Sequence, residues 1–248
     1  TLASGGVIPQ LGGAPRATPA PADIGRLYNA PDVAFIEARE RNFIHIGIGS
    51  GHRGHPLSST VEDSFYALRD YALGSLSQAQ LDALTPVAHG DLVAIITPTT
   101  VVPADGPGWR VDLDGGGRPG EKVLSEARTF ANRVIFSTFT PPTPHTSCAP
   151  QPGTNRTYAM SVYDGHPVLN LDSSVDSTTL TMNDLFVAAD GGILAAPQAL
   201  SLERDTDGHG IDDAADGATA LVCVGLRCLS GLMRDEPIRT FWAQESVD

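Results

Sequence analysis

Lysine is almost missing from this 248-residue chain: Lys122 is the only one, and Lys and Arg together number 16 against 29 Asp and Glu. The formal charge of −13 argues against a nucleic-acid binder, whose affinity comes mainly from phosphates neutralised by Lys and Arg. An acidic surface attracts divalent cations and favours solubility, but it names no partner. Cysteine is scarce too, at three residues, which is too few for a disulfide scaffold. No apolar run approaches the length of a membrane span, and no signal peptide is visible. A chain that opens at Thr1 without a methionine is expected to be a mature or truncated fragment.

Turn-forming residues are what the chain has in quantity. Its 19 prolines and the Asp-Gly dipeptides beginning at Asp105, Asp114, Asp164, Asp190, Asp207 and Asp216 favour turns over helices. Between them lie short runs rich in Val, Ile, Phe, Tyr and Thr. Val123 to Phe130 and Asn132 to Phe139 come first, then a proline-rich excursion with Cys148, then Arg156 to Tyr163 ending at the Asp164-Gly165 turn. The same order appears earlier, in Pro31 to Ile36, Asn42 to Ile48, a glycine-rich loop, and Ser64 to Asp70. A weaker third copy runs from Ile193 to Leu202 and from Ala218 to Leu226. Repeated short strands joined by tight turns predict an all-β chain and suggest the blades of a β-propeller.

The connections are read in the same way. Residues 1–25 are an irregular lead-in or linker, 26–242 carry the blades, and 243–248 are a tail. Leu92 to Ile96 is an apolar strand, and Gly108 to Leu113 alternates as a half-buried strand does. Residues 77–84 are the best helix candidate, capped by Ser77 and stopped by Pro86. Residues 141–155 are a surface loop, Ser173 to Thr181 an exposed strand, and Asp190-Gly-Gly192 a turn. Ile238 to Trp242 anchors the C-terminus through two aromatics.

The strongest chemical signal is Asp205-Thr-Asp-Gly-His-Gly-Ile-Asp-Asp213. Calcium takes several oxygens, and carboxylates at alternate loop positions converge on one ion. Asp205, Asp207 and His209 stand at positions one, three and five. Gly210 permits the sharp turn, Ile211 offers its carbonyl at seven, and Asp213 closes the loop at nine. His209 departs from the pattern, because an imidazole is a poor calcium ligand; an acidic surface turn is the alternative. Cys223 and Cys228, separated by Val-Gly-Leu-Arg, either close a bridge in an oxidising compartment or lie as two thiols in a core strand. Gly49-Ser-Gly-His-Arg-Gly54 fits the dinucleotide fingerprint, but Pro56 stands where the phosphate-binding helix should run. His52 and His55 read as part of a solvated loop, with metal ligation the less favoured reading. No residues are assigned a catalytic role.

In order along the chain stand Arg26-Leu-Tyr-Asn-Ala-Pro-Asp-Val33, Ile46-Gly-Ile-Gly-Ser-Gly51 with His55-Pro-Leu57, and Phe65-Tyr-Ala-Leu-Arg-Asp70. Gly108-Trp-Arg-Val-Asp-Leu113, Gly120-Glu-Lys-Val-Leu-Ser125, Arg133-Val-Ile-Phe-Ser-Thr-Phe139 and Arg239-Thr-Phe-Trp242 follow. With these the chain resembles the C-terminal propeller domain of the PilY family of type IV pilus proteins. The resemblance implies an exported, non-enzymatic, calcium-responsive protein at the cell surface or pilus tip, reached through the periplasm. Its role would lie in attachment and in the balance of pilus extension and retraction. Pilin subunits or other pilus proteins, and a host or surface receptor, are the implied partners. Two departures are plain. The family's regulatory calcium loop would precede Thr1, so the loop at Asp205 would be a separate site, and the strands are too few for a full propeller. The expectation is therefore a partial or distorted propeller comprising C-terminal blades. Two rivals remain: a quinoprotein-type propeller oxidoreductase, and a surface protein for which calcium is a structural staple.

Overall fold

The computed structural model describes residues 26–72, 77, 79, 83, 87–113, 118–142, 152–171, 180–202, 219–225 and 227–229. Within them the chain is built of antiparallel strands in three sheets that follow one another in sequence. Sheet A contains β1 (Asp32–Ile36), β2 (Phe43–Gly49), β3 (Ser64–Asp70), β4 (Val93–Ala94) and β5 (Gly108–Asp112), in the order β1-β2-β3-β5-β4. Only β4 runs parallel to its neighbour. Sheet B contains β6 (Lys122–Val123), β7 (Arg128–Phe130), β8 (Arg133–Thr140), β9 (Gly153–Ser161) and β10 (Phe186–Gly191). Its order is β10-β9-β8-β6, with β7 also pairing β8. Sheet C is the meander β11 (Gln198–Leu202), β12 (Thr219–Val224) and β13 (Arg227–Leu229).

Side-chain alternation decides how the sheets meet. From sheet A, Phe43, Phe65, Ala67, Trp109 and Val111 point to one face; from sheet B, Val123, Val134, Phe136, Tyr158 and Met160 point back at them. Phe65 stacks on Phe136 at 3.8 Å between centroids, and Phe136 on Tyr158 at 4.7 Å. Each such ring, buried to within a few per cent, contributes about 1.5–3 kcal/mol of transfer free energy. The opposite face of sheet B, with Ile135 and Ala159, packs on Val222 and Val224 of sheet C. Sheet B is thus covered on both sides. A two-residue turn through Ala131 and Asn132, both at positive φ, joins β7 to β8, the backbone that tight hairpins require.

Several expectations are corrected in detail. The run Leu92 to Ile96 forms a strand only over Val93–Ala94, because the Leu92 carbonyl accepts from Arg110 Nη1 (2.5 Å) and Ile96 is left 73 % exposed. The Val123–Phe130 run is split, with β6 and β7 pairing different parts of β8. Strand β9 begins at Gly153, within the stretch expected to be loop, and ends at Ser161. Asp190 is not a turn: β10 continues through it, because Asp190 pairs with Thr154 and Gly191 with Gly153. Residues 193–197 precede β11 rather than belonging to it. Thr181 caps a 3-10 turn, Met182–Leu185, while 172–179 lie outside the described residues, as do 143–151 and most of the expected helix over 77–84.

Candidate functional site

A cleft of about 510 Å³ opens at one end of the A–B sheet pair. Four separate stretches build it: the β1–β2 loop over 37–42, the end of β3, the segment 102–104, and the turn after β9. Asn42 shapes the first of these by accepting from the Ala38 N–H through Oδ1 (3.2 Å). The last is set by Gly165, at φ +67°, whose N–H donates to the Ser161 carbonyl (2.9 Å). A Cβ at Gly165 would come within 2.9 Å of the Trp109 ring, so both conformation and space require glycine there.

Arg69 is the keystone. Its Nη1 donates to the carbonyls of Pro103 (2.8 Å) and Ala104 (3.5 Å), and its Nη2 donates to that of Tyr163. The guanidinium also lies 5.3 Å from the centroid of Phe43, a cation–π distance. One side chain thus ties sheet A, the 102–104 segment and the turn of sheet B together. Arg41 lies over the Tyr71 ring at 4.7 Å, and the Tyr163 hydroxyl donates to the Glu37 carbonyl (3.0 Å). Phe43 and Tyr163 meet edge to face. Burial, and secondarily Glu37, holds the Tyr163 phenol above its ordinary value. The cleft has an aromatic floor with arginines and carboxylates at its mouth, an arrangement suited to holding a polar ligand by charge-assisted hydrogen bonds.

Below the cleft, opposite Arg69 in the β2–β3 register, lies His45. It is fully buried, and neither ring nitrogen has a protein partner. Burial, with the Arg69 charge second, lowers its pKa from 6.5 to about 4, so the ring is neutral at physiological pH.

A second polar cluster lies across the sheet pair. Buried Glu121 accepts from Arg118 Nε (2.5 Å), Arg156 Nη1 (3.2 Å), the Thr138 hydroxyl (2.6 Å) and the Tyr158 hydroxyl (3.0 Å). Next to it Lys122, 1 % exposed, donates through Nζ to the carbonyls of Ser58 (2.7 Å) and Gly120. Burial lowers the Lys122 pKa, partly opposed by Asp63, and burial raises that of Asp63 against the pull of Ser50 and Lys122. Ser50 closes the arrangement by donating to Asp63 Oδ1 (2.7 Å). Every strong contact in this cluster is internal, so it acts as a brace between sheets.

The glycine fingerprint has a packing cause. A Cβ on Gly49 would fall 2.3 Å from Val123 Cβ, and one on Gly51 would fall 2.3 Å from the Val123 carbonyl oxygen. The Val123 N–H donates to the Ser50 carbonyl (2.9 Å). These glycines let the end of β2 touch β6, which fills the space a pyrophosphate would need. His52 stacks on Tyr28 (5.5 Å) and meets His55 at 4.6 Å, with Arg26 Nη1 3.1 Å from its Nε2.

Asp205, Asp207, His209, Ile211 and Asp213 lie outside the described residues, as does Cys148. Among the described residues no group of three or more His, Cys, Asp or Glu is placed to hold a metal ion. Cys223 and Cys228 face each other in the β12–β13 register and are joined by a disulfide. Sequence reasoning missed the cleft, Arg69, His45 and Glu121. The Gly120–Ser125 run contained a signal for Glu121, an acid and a lysine inside an apolar strand pattern. The chain is an all-β protein of stacked antiparallel sheets. Comparison with protein-family models, with curated proteins and with solved structures returns no match.

Proposed function

We propose that this chain is a non-enzymatic, pilus-associated protein of the cell surface, exported through the periplasm, that acts in surface attachment and in the balance of type IV pilus extension and retraction. Its sheets are read as consecutive blades of a propeller, with calcium bound in the loop 205–213. The observation that carries the reading is the succession of three mainly antiparallel sheets, A, B and C, stacked face to face in chain order with the middle one covered on both sides. Neighbouring propeller blades also stack face to face in chain order, which supports the reading alongside the resemblance to PilY proteins. Pilus function itself rests on that resemblance, since one architecture serves many functions. The cleft on the loop end of sheets A and B is the surface assigned to contact a pilus component or a receptor.

The test is deletion of the encoding gene in its host, complemented with wild type and with an Arg39→Ala/Arg41→Ala variant at the cleft mouth. Loss of piliation or attachment in the deletion, restored by wild type, supports the reading. A deletion strain with unchanged pili, attachment and retraction would refute it. An absorbance spectrum of the purified protein showing a bound quinone would instead favour the oxidoreductase.

A further inference from the structure

Arg26, Leu27 and Tyr28 precede β1 and run on alongside the end of β2, as a strap against the loop that follows it. The Gly51 N–H donates to the Arg26 carbonyl (2.8 Å), and Leu27 packs on the cluster of Ile48, Tyr66, Leu68 and Leu92. The Tyr28 ring stacks on His52 at 5.5 Å between centroids, inclined by only 7°. A further contact involves charge: Arg26 Nη1 donates to His52 Nε2 (3.1 Å). A guanidinium has donors only, so Nε2 must accept this bond and the ring proton sits on Nδ1. The docked strap therefore requires the neutral form of His52. We propose that this strap is an acid-sensitive latch, docked while His52 is neutral and released when its ring takes a second proton.

Protonation turns this contact from attraction to repulsion. Nε2 gains a hydrogen, so two donors face each other where a donor met an acceptor, and two positive charges stand at the distance of a hydrogen bond. The ionisable groups around the ring are Arg26 and Tyr28 of the strap, Arg53 next in sequence, and His55, whose ring lies 4.6 Å away. None of these offsets a positive charge. Although the chain carries a formal charge of −13, among the described residues no carboxylate lies within ion-pair distance of His52 or Arg26. Desolvation, then the charges of Arg26 and His55, hold the His52 pKa below its ordinary 6.5. The sign follows from linkage. The ring protonates more readily undocked than docked, so docking is fully favoured above pH 6.5 and is progressively lost as pH falls below it. Leu27 is untouched by the proton, so acid loosens the strap without opening the sheets, and uncovers the part of the apolar cluster that Leu27 covers.

Amide hydrogen exchange of the full chain at pH 7.5 and pH 5 tests this, read at Gly51 as a protection factor corrected for the intrinsic pH dependence of exchange. His52→Gln offers Arg26 an acceptor that takes up no proton. His45 and the other titrating groups are unchanged in that variant, so the difference between the two proteins belongs to His52. Between pH 7.5 and pH 5, wild-type Gly51 should lose about two- to tenfold more protection than His52→Gln, the equivalent of one hydrogen bond. His52→Lys carries a fixed charge and should show the low value already at pH 7.5. Should His52→Gln lack protection at pH 7.5 for want of the ring stack, Arg26→Gln carries the test, since it keeps His52, Tyr28 and their stack. An amide can face either form of the ring, so Arg26→Gln should respond to acid less than wild type. Three results would overturn the proposal: equal losses in wild type and His52→Gln, a full acid response in Arg26→Gln, or wild-type protection at pH 7.5 in His52→Lys.

Discussion

His45 should make the stability of this protein fall with acid in a window set by one side chain. In the unfolded chain an imidazole takes up its proton near pH 6.5, whereas in the fold His45 resists protonation until about pH 4. Above pH 6.5 the ring is neutral in both states and contributes nothing to pH dependence. As pH falls below 6.5 the unfolded state binds a proton that the folded state refuses, so stability is lost progressively down to about pH 4. At about 1.36 kcal/mol per pH unit, that gap amounts to a loss of about 3 kcal/mol. The physical cause is burial without a partner: both ring nitrogens lack one, and the Arg69 charge opposes a second cation. Asp63 works in the opposite direction. Its pKa is raised, so the folded state takes up a proton before the unfolded chain does, and stability is regained as pH falls through the Asp63 titration.

Because several groups titrate together, the measurement is a difference. Urea unfolding of wild type and His45→Leu, followed by tryptophan fluorescence from pH 7.5 to pH 4, gives two curves whose separation isolates the histidine. Leucine removes two unpartnered nitrogens at similar volume, and replacing an unsatisfied polar group by an apolar one is near neutral or stabilising. The variant should therefore match or exceed wild type at pH 7.5 and gain on it steadily below pH 6.5, reaching an additional ~3 kcal/mol near pH 4. Parallel curves would refute the reasoning. They would mean that His45 finds a proton acceptor in the fold or that its region opens before it titrates.

Other outcomes follow from single contacts. Glu121→Ala removes the carboxylate shared by Arg118 and Arg156 and should cost about 3–5 kcal/mol in urea unfolding, as breaking a buried ion pair does. Gly49→Ala, whose Cβ would strike Val123, should cost about 1–3 kcal/mol, and a second change, Val123→Ala, should recover part of that cost in the same melts. Cys223→Ala with Cys228→Ala opens a bridge between residues five apart, and the loop-entropy relation gives a loss of about 2 kcal/mol. Calorimetric titration with calcium should show one site near 10⁻⁴–10⁻³ M, roughly the range of extracellular modules, which His209→Asp tightens and Asp213→Ala abolishes. Unchanged binding in Asp213→Ala would disprove the ligand assignment at Asp205–Asp213.

The strands that alternation could reveal were legible: β1, β2, β3, β5 and β8 stand close to where period-two patterning puts them. What was not legible depends on partners distant in sequence. Strand β10 carries Asp190 and Gly191, which locally read as a turn, and only pairing with Thr154 and Gly153 keeps them extended. The cleft draws on residues 37–43, 69, 102–104 and 163–164, and no local pattern announces four segments that meet only after folding. The Gly49-x-Gly51 spacing was legible as a demand for close approach. Sequence could not say that the approaching group is the backbone of β6 rather than a phosphate.

The polar groups that sequence analysis passed over answer a question that apolar patterning leaves open. Two sheets that each present aromatic and aliphatic side chains can stack in several offsets at similar cost, because hydrophobic burial is not directional. Between sheets A and B the offset is pinned at both ends by hydrogen bonds. At one end Lys122 of β6 reaches the Ser58 carbonyl, and the Val123 N–H reaches that of Ser50. At the other, Arg69 of β3 holds the Tyr163 carbonyl, and Trp109 Nε1 of β5 donates to Val162 (3.2 Å). Sliding the sheets past one another would strand a buried lysine, an arginine and an indole at once, each costing about 1–3 kcal/mol or more when unpaired. Directional bonds at both ends select the offset, and apolar contact between them supplies the bulk of the stability. The same selection fixes the cleft, because Arg69 and Tyr163 are both pins and walls. Arg69→Met should therefore loosen the sheet offset and the cleft walls together, whereas Arg39→Ala, at the exposed mouth, should alter only the cleft.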